Sequence, residues 1–221
     1  MIIDELERAF LVQADKSRGL SMSAYMKNHF VFYGLPAPVR KDIQKAVFSN
    51  SKPNDYPTLI THTRAMWQKP EREWHYAAID LLASCKKLWQ SDMIETIESM
   101  LIQNAWWDSV DGLSSQVVAP YFKKFPQVKS SSIDKWKISE NMWLRRVSII
   151  HQLKAKKDTD LDLLTECILL NSESKEFFLQ KAIGWALREY AKIDPEWVIR
   201  FVDVNDLKPL SKREALKNIQ A

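Results

Sequence analysis

The stretch Asn104-Ala-Trp-Trp-Asp-Ser-Val-Asp-Gly-Leu113 holds the residues best suited to chemistry. Trp106, Val110, Leu113 and Val117 recur at i, i+4, i+7 and i+11, one apolar stripe and therefore the buried face of a helix. Trp107 stands one position on, about 100° around the helix axis. Asp111 follows it by four residues, so the two side chains are neighbours on a second face. A fixed carboxylate beside an aromatic ring can stabilise a developing cation, because its oxygens carry the opposite charge and the ring face attracts positive charge. The same spacing also suits a Trp107 packed on a neighbouring helix and an Asp111 that caps or pairs with an arginine. On this segment alone, that simpler arrangement is the favoured one.

Further positions narrow the choice. Lys181, Trp185, Arg188 and Lys192 are spaced i, i+4, i+7 and i+11, a basic stripe with a tryptophan in its middle. Long cationic side chains around an aromatic face suit a phosphate backbone and a nucleoside, although a solvated charged face beside Glu189 has the same pattern. In Met142-Trp-Leu-Arg-Arg-Val-Ser, Arg145 and Arg146 follow Trp143, so at least one guanidinium emerges beside the buried stripe. In Pro209-Leu-Ser-Lys-Arg-Glu214, Ser211 and Glu214 have the spacing of a capping box, which predicts a helix start at Ser211. Lys212 and Arg213 then fall in the first turn, where the helix dipole disfavours cations unless an anion such as a phosphate is bound.

Helices must position these residues. Helical periodicity runs from end to end, and the prolines (36, 38, 53, 57, 70, 120, 126, 195 and 209) fall between periodic stretches. No alternating apolar segments joined by Asn-Gly or Asp-Gly predict a hairpin. A weak repeat is visible in the pairs Trp74–Ala78, Trp106–Val110, Trp143–Val147 and Phe178–Ala182, whose second members lie 32, 37 and 35 residues apart. That period fits two helices plus turns, so the expected fold is all-α, an α-α superhelix of stacked repeats with a concave face. An irregular helical bundle is the alternative.

Composition sets outer limits. The chain has 221 residues and 46% hydrophobic content, enough for a packed core in one domain, 1–221. A net charge of +4 permits a nucleic-acid partner without proving one. The glycines, Gly19, Gly34, Gly112 and Gly184, are too scattered for a P-loop or a dinucleotide fingerprint. Cys85 and Cys167 sit in apolar stretches, and His29, His62, His75 and His151 lack ligand spacing, so neither a metal nor a cofactor is expected. The first residues read as an amphipathic helix rather than a signal peptide, and no apolar run approaches the roughly 18 residues of a membrane span. A soluble, cytoplasmic protein is expected.

Taken in order, several blocks resemble the bacterial AlkD family of DNA alkylation-repair glycosylases over nearly the whole chain. They are Tyr25-Met-Lys-Asn-His-Phe with Gly34 and Pro38-x-Arg40; Pro70-Glu-Arg-Glu; Trp106-Trp-Asp-Ser-Val-Asp111; Trp143-Leu-x-Arg146; Ser174-Lys-Glu-Phe-Phe with Lys181-Ala-Ile-Gly-Trp185-x-Leu-Arg-Glu-Tyr190; and Pro209-Leu-Ser-Lys-Arg-Glu-Ala215. The resemblance implies a bacterial enzyme whose HEAT-like repeats hold double-stranded DNA that contains alkylated purines, and the exposed concave face leads to the expectation of a monomer. It implies excision of N3- and N7-alkylated purines without enclosure of the base. By motif, Asp111 corresponds to the catalytic carboxylate, flanked by Trp107 and Trp185. Arg146 corresponds to a DNA-contacting arginine, and Tyr25 to the aromatic residue that borders the lesion. Lys27, Arg40, Lys154, Lys181, Arg188, Lys212 and Arg213 complete the expected DNA-binding set. The Leu35-Pro36-Ala37 loop departs from the family's usual pattern.

The implied chemistry suits the residues. Alkylation makes the purine cationic and already a good leaving group, so the barrier lies in positive charge developing on the sugar. A carboxylate can stabilise that charge and position a water without a strong general acid. The rival from another class is a HEAT-like scaffold that binds DNA or protein without chemistry. A base-flipping helix-hairpin-helix glycosylase is disfavoured, for want of a Gly-rich hairpin.

Overall fold

The structure is a computed structural model and describes residues 2–219. The protein is all-α, and among the described residues no strand forms; Val31 and Glu71 make an isolated bridge. The chain packs as two compact units, one ending at Thr96 and one beginning at Ile97.

The first unit contains α1 (Ile2–Val12), α2 (Lys16–Tyr25), α3 (Ala37–Ser51), α4 (Tyr56–Trp67) and α5 (Arg72–Ser84). Its core is the antiparallel pair α4 and α5 with α1 and α3 laid against them. Trp74, the first aromatic residue of the sequence repeat, is buried and meets Phe10 edge-on at 5.2 Å. The connection from α2 to α3 has no regular structure and is fixed by α5 instead. The buried Glu73 carboxylate accepts hydrogen bonds from the backbone N–H groups of Tyr33, Gly34 and Leu35 at 3.1, 2.9 and 3.1 Å. Burial raises the pKa of Glu73, and the three N–H donors oppose the rise. Gly34 has φ +90°, and a Cβ there would run into the Asp15 carbonyl, so no larger residue fits this turn.

After α6 (Met93–Ile102) the second unit holds α7 (Trp107–Leu113), α8 (Ala119–Lys124), α9 (Pro126–Trp136), α10 (Met142–Ile150), α11 (Leu161–Leu169), α12 (Phe177–Tyr190), α13 (Pro195–Val204) and α14 (Pro209–Leu216). Helix α10 lies at its centre, packed on α7, α9, α11 and α12, and α12 in turn carries α14. Trp106, Trp143 and Phe178, three of the repeat positions, are one cluster: their ring centroids are 5.8, 5.1 and 5.0 Å apart.

Two sequence expectations are corrected here. Pro120 does not separate helices. A π-helical stretch, Ser114–Val118, joins α7 directly to α8, and its wider turn lets the chain carry a proline without ending the helix. Ser211 is not a helix cap either. Helix α14 starts at Pro209, Ser211 is buried and donates to the Gln180 carbonyl at 3.0 Å, and Glu214 turns away to ion pairs on α12. Proline at the first helical position, which needs no N–H partner, sets this start instead.

Candidate active site

The Trp107–Asp111 segment is positioned by the turn before it. Asn104 adopts φ 52°, which reverses the chain after α6. Trp106 is extended, and the Ser109 hydroxyl donates to the Trp106 carbonyl at 3.2 Å, fixing the first turn of α7. Trp107 then opens the helix, half-buried, and Asp111 stands one turn further on.

Asp111 faces α10. Arg146 Nε donates to Oδ1 at 2.8 Å and Nη2 to Oδ2 at 2.8 Å, a bidentate pair. Arg146 Nη1 donates to the Phe178 carbonyl at 2.6 Å, which ties the pair to the first turn of α12. Arg146 is 4% exposed, and the Asp111 side chain 19%. Burial pushes the Asp111 carboxyl above its usual value, the Arg146 hydrogen bonds and charge oppose this, and Asp108 adds repulsion. The outcome is a carboxylate locked in one orientation, with a second lone pair on each oxygen still able to accept.

Arg146, expected to contact DNA, is buried and bound within the protein. Its guanidinium donates to Asp111 and to a carbonyl, which is the pairing that the simpler reading of Asp111 foresaw.

The α12 stripe is present with its charge balanced. Lys181, the half-buried Trp185 and Arg188 share one face. Glu214 of α14 reaches both cations, with Oε1 3.1 Å from Lys181 Nζ and Oε2 2.6 Å from Arg188 Nη1. Those hydrogen bonds hold the Glu214 carboxyl below its ordinary value. Lys192 pairs with Glu189 at 2.7 Å. Lys212 is half-buried and Arg213 exposed on α14, and Lys154 is exposed after α10.

Three predicted residues lie in the first unit. Tyr25 is 72% exposed at the end of α2, followed by the exposed Lys27 with φ 54°. Arg40 is only 7% exposed; it binds Asp80 and Gln44, both at 2.8 Å, and lies over the Tyr76 ring at 4.9 Å. Its guanidinium, expected to bind DNA, is held within the first unit by these partners. Sequence reasoning gave Glu214 a capping role and missed its ion pairs, which depend on where α14 docks; it also missed the Phe178 carbonyl, a main-chain group with no signature of its own.

Among the described residues no group of His, Cys, Asp or Glu could hold a metal, and no helix is long and apolar enough to cross a membrane.

The fold and the site define an all-α protein with an arginine-locked carboxylate one helical turn after a half-buried tryptophan. A family model described as DNA alkylation repair enzyme matches residues 6–219, and the chain belongs to that family. It is also similar to the solved structure of a predicted DNA alkylation repair enzyme from Enterococcus faecalis. The two are 35% identical, with 93% of this chain and 96% of that one covered and a TM-score of 0.87. Comparison with curated proteins returns no match.

Proposed function

We propose that this family member is an alkylpurine DNA glycosylase, which hydrolyses the N-glycosidic bond of N3- and N7-alkylated purines in duplex DNA. The observation that carries the reading is the Asp111–Arg146 pair. A half-sheltered carboxylate held by two hydrogen bonds is preorganised to face positive charge, and preorganised charge costs no reorientation as the transition state forms.

In this mechanism the C1′–N bond breaks and its electrons leave with the purine, which departs uncharged. Positive charge spreads over C1′ and the ring oxygen, opposite Asp111. A water that donates a hydrogen bond to a remaining lone pair of Asp111 attacks C1′ and passes its proton through that carboxylate to solvent, leaving an abasic site. Trp107 and Trp185 favour the cationic nucleoside by about 0.5–2 kcal/mol each through their ring faces. Arg146 positions the carboxylate. Tyr25, Lys27, Lys154, Lys212 and Arg213 supply aromatic and cationic contacts to the duplex, with affinity that falls as salt rises. The resemblance extends the proposal to a base that is never enclosed, and hence to bulky adducts.

The test is release of 7-methylguanine and 3-methyladenine from methylated duplex DNA by the wild type and by Asp111→Asn. Release by the wild type alone supports the proposal. Binding without release by either protein would point to a scaffold that recognises DNA without chemistry.

A further inference from the structure

The α12–α14 contact contains a carboxylate that the proposed chemistry does not use. Glu214 bridges Lys181 and Arg188, and Trp185 lies between those two cations on the same helix face, four residues after one and three before the other. The bridge is built in rather than incidental. Glu214 is 12% exposed. Arg188 also donates to the Glu214 carbonyl at 3.3 Å, and Ser211 fastens the same helix to the Gln180 carbonyl. Gly184, next to Trp185, leaves room for the Glu214 backbone to approach; a Cβ there would meet Glu214 Cβ and, at 2.9 Å, the Ser211 carbonyl.

We infer that Glu214 is a specificity-determining residue: by pairing with both cations beside Trp185, it keeps that aromatic face from repelling a positively charged nucleoside. Two uncompensated cations flanking the ring would oppose a cationic base or sugar and would draw phosphates without regard to damage. One carboxylate shared between them leaves a single net positive charge. That is enough to hold a phosphate without building a repulsive field around the lesion. Glu214 stays ionised at neutral pH, since its two partners hold its pKa below the ordinary value. The inference rests on the proposed glycosylase reading.

The experiment measures binding alone, on three duplexes: undamaged, with a neutral tetrahydrofuran abasic analogue, and with a cationic pyrrolidine analogue of the sugar. Wild type, Glu214→Gln and the charge-balanced double variant Glu214→Gln/Lys181→Gln are compared across a salt series. Glu214→Gln is expected to lose about tenfold of its preference for the cationic over the neutral analogue, an added charge near the ring being the cause. Its salt slope on undamaged DNA should steepen by about one counterion. The double variant is expected to recover both. If Glu214→Gln keeps the wild-type preference, or if the double variant is as impaired as the single one, Glu214 only fastens α14 and the inference falls. A wild type with no preference for the cationic analogue would overturn the glycosylase reading itself.

Discussion

Arg146 and Asp111 face each other through two parallel hydrogen bonds of 2.8 Å, and the remaining arginine nitrogen donates to the Phe178 carbonyl. The guanidinium therefore joins three helices, with α7 supplying the acid, α10 the base and α12 the carbonyl. A bidentate pair fixes the plane of the carboxylate as well as its position. A single cation on a flexible stem would fix only the position.

The first prediction separates these two residues. Asp111→Asn should cost about 100- to 1,000-fold in single-turnover base release, the scale of losing one preorganised charged group. Its affinity for abasic duplex should stay close to the wild type. Arg146→Lys should also lower the single-turnover rate while leaving the salt slope of binding unchanged, because the arginine is buried and each of its three nitrogens has a partner within the protein. A slope shallower by about one counterion would instead mean that Arg146 contacts a phosphate.

Removing the arginine altogether exposes what the pair costs. Arg146→Ala leaves a largely buried carboxylate without its counter-charge, a change that typically destabilises by about 3–5 kcal/mol. Thermal unfolding should show a clear drop for Arg146→Ala and a much smaller one for the double variant Arg146→Ala/Asp111→Asn, in which no charge is stranded. Equal drops would show that the guanidinium contributes only packing.

Asp111 also sets an acid limit on activity. Burial raises its pKa despite Arg146, and the protonated form cannot oppose a sugar cation. The single-turnover rate should fall with decreasing pH at a value above the ordinary aspartate range of about 3.9. In Arg146→Lys the lost second hydrogen bond weakens the opposing pull, so the limb should move to still higher pH. For stability the sign is opposite. A raised folded pKa favours the neutral carboxyl, so this contribution is present at low pH and lost as pH rises through the folded value. A limb unmoved by Arg146→Lys would assign the titration to another group.

Much of this organisation was legible in the residues, for reasons that particular elements make plain. Trp106, Trp143 and Phe178 were found as a repeat because stacked helical units present equivalent apolar positions, and they meet as one cluster. Asp111 stood out because i to i+4 spacing is a property of a single helix. What could not be read depended on distance in the chain. Arg146 belongs to Asp111 across 35 positions, and Glu214 belongs to Arg188 across 26. The Ser211 capping box failed because its motif is local while Pro209 and the docking on α12 decide where α14 begins. The proline rule failed at Pro120 for a related reason, since a π turn absorbs the missing donor.

Gly184 offers a test of the α12–α14 docking that is independent of charge. In an exposed helix, Gly→Ala gains about 1 kcal/mol through backbone entropy. Here the added methyl would run into Glu214 Cβ and the Ser211 carbonyl, and overpacking costs about 1–3 kcal/mol. Gly184→Ala should therefore lower the unfolding temperature, and it should weaken discrimination between cationic and neutral analogues as α14 shifts. A gain in stability would mean that α14 yields without strain.

His151 gives the last prediction, because it is buried in its uncharged form. Its Nδ1 lies 2.8 Å from the Ser148 carbonyl and so carries the proton, while Nε2 has no hydrogen-bond partner among the described residues. The ring meets Phe122 edge-on at 5.8 Å. Burial, with Lys129 adding repulsion, depresses its pKa from 6.5 to about 4. Between those values the unfolded chain binds a proton that the folded chain refuses. Stability contributed by the neutral ring is therefore full above about 6.5 and is lost as pH falls toward 4, by an amount on the order of 3 kcal/mol. His151→Leu has nothing to protonate and should unfold with a flatter dependence on pH across that window, even if it is less stable at neutral pH. Denaturant midpoints measured from pH 7.5 down to 4.5 check this. Parallel curves for the two proteins would move the acid sensitivity to other groups.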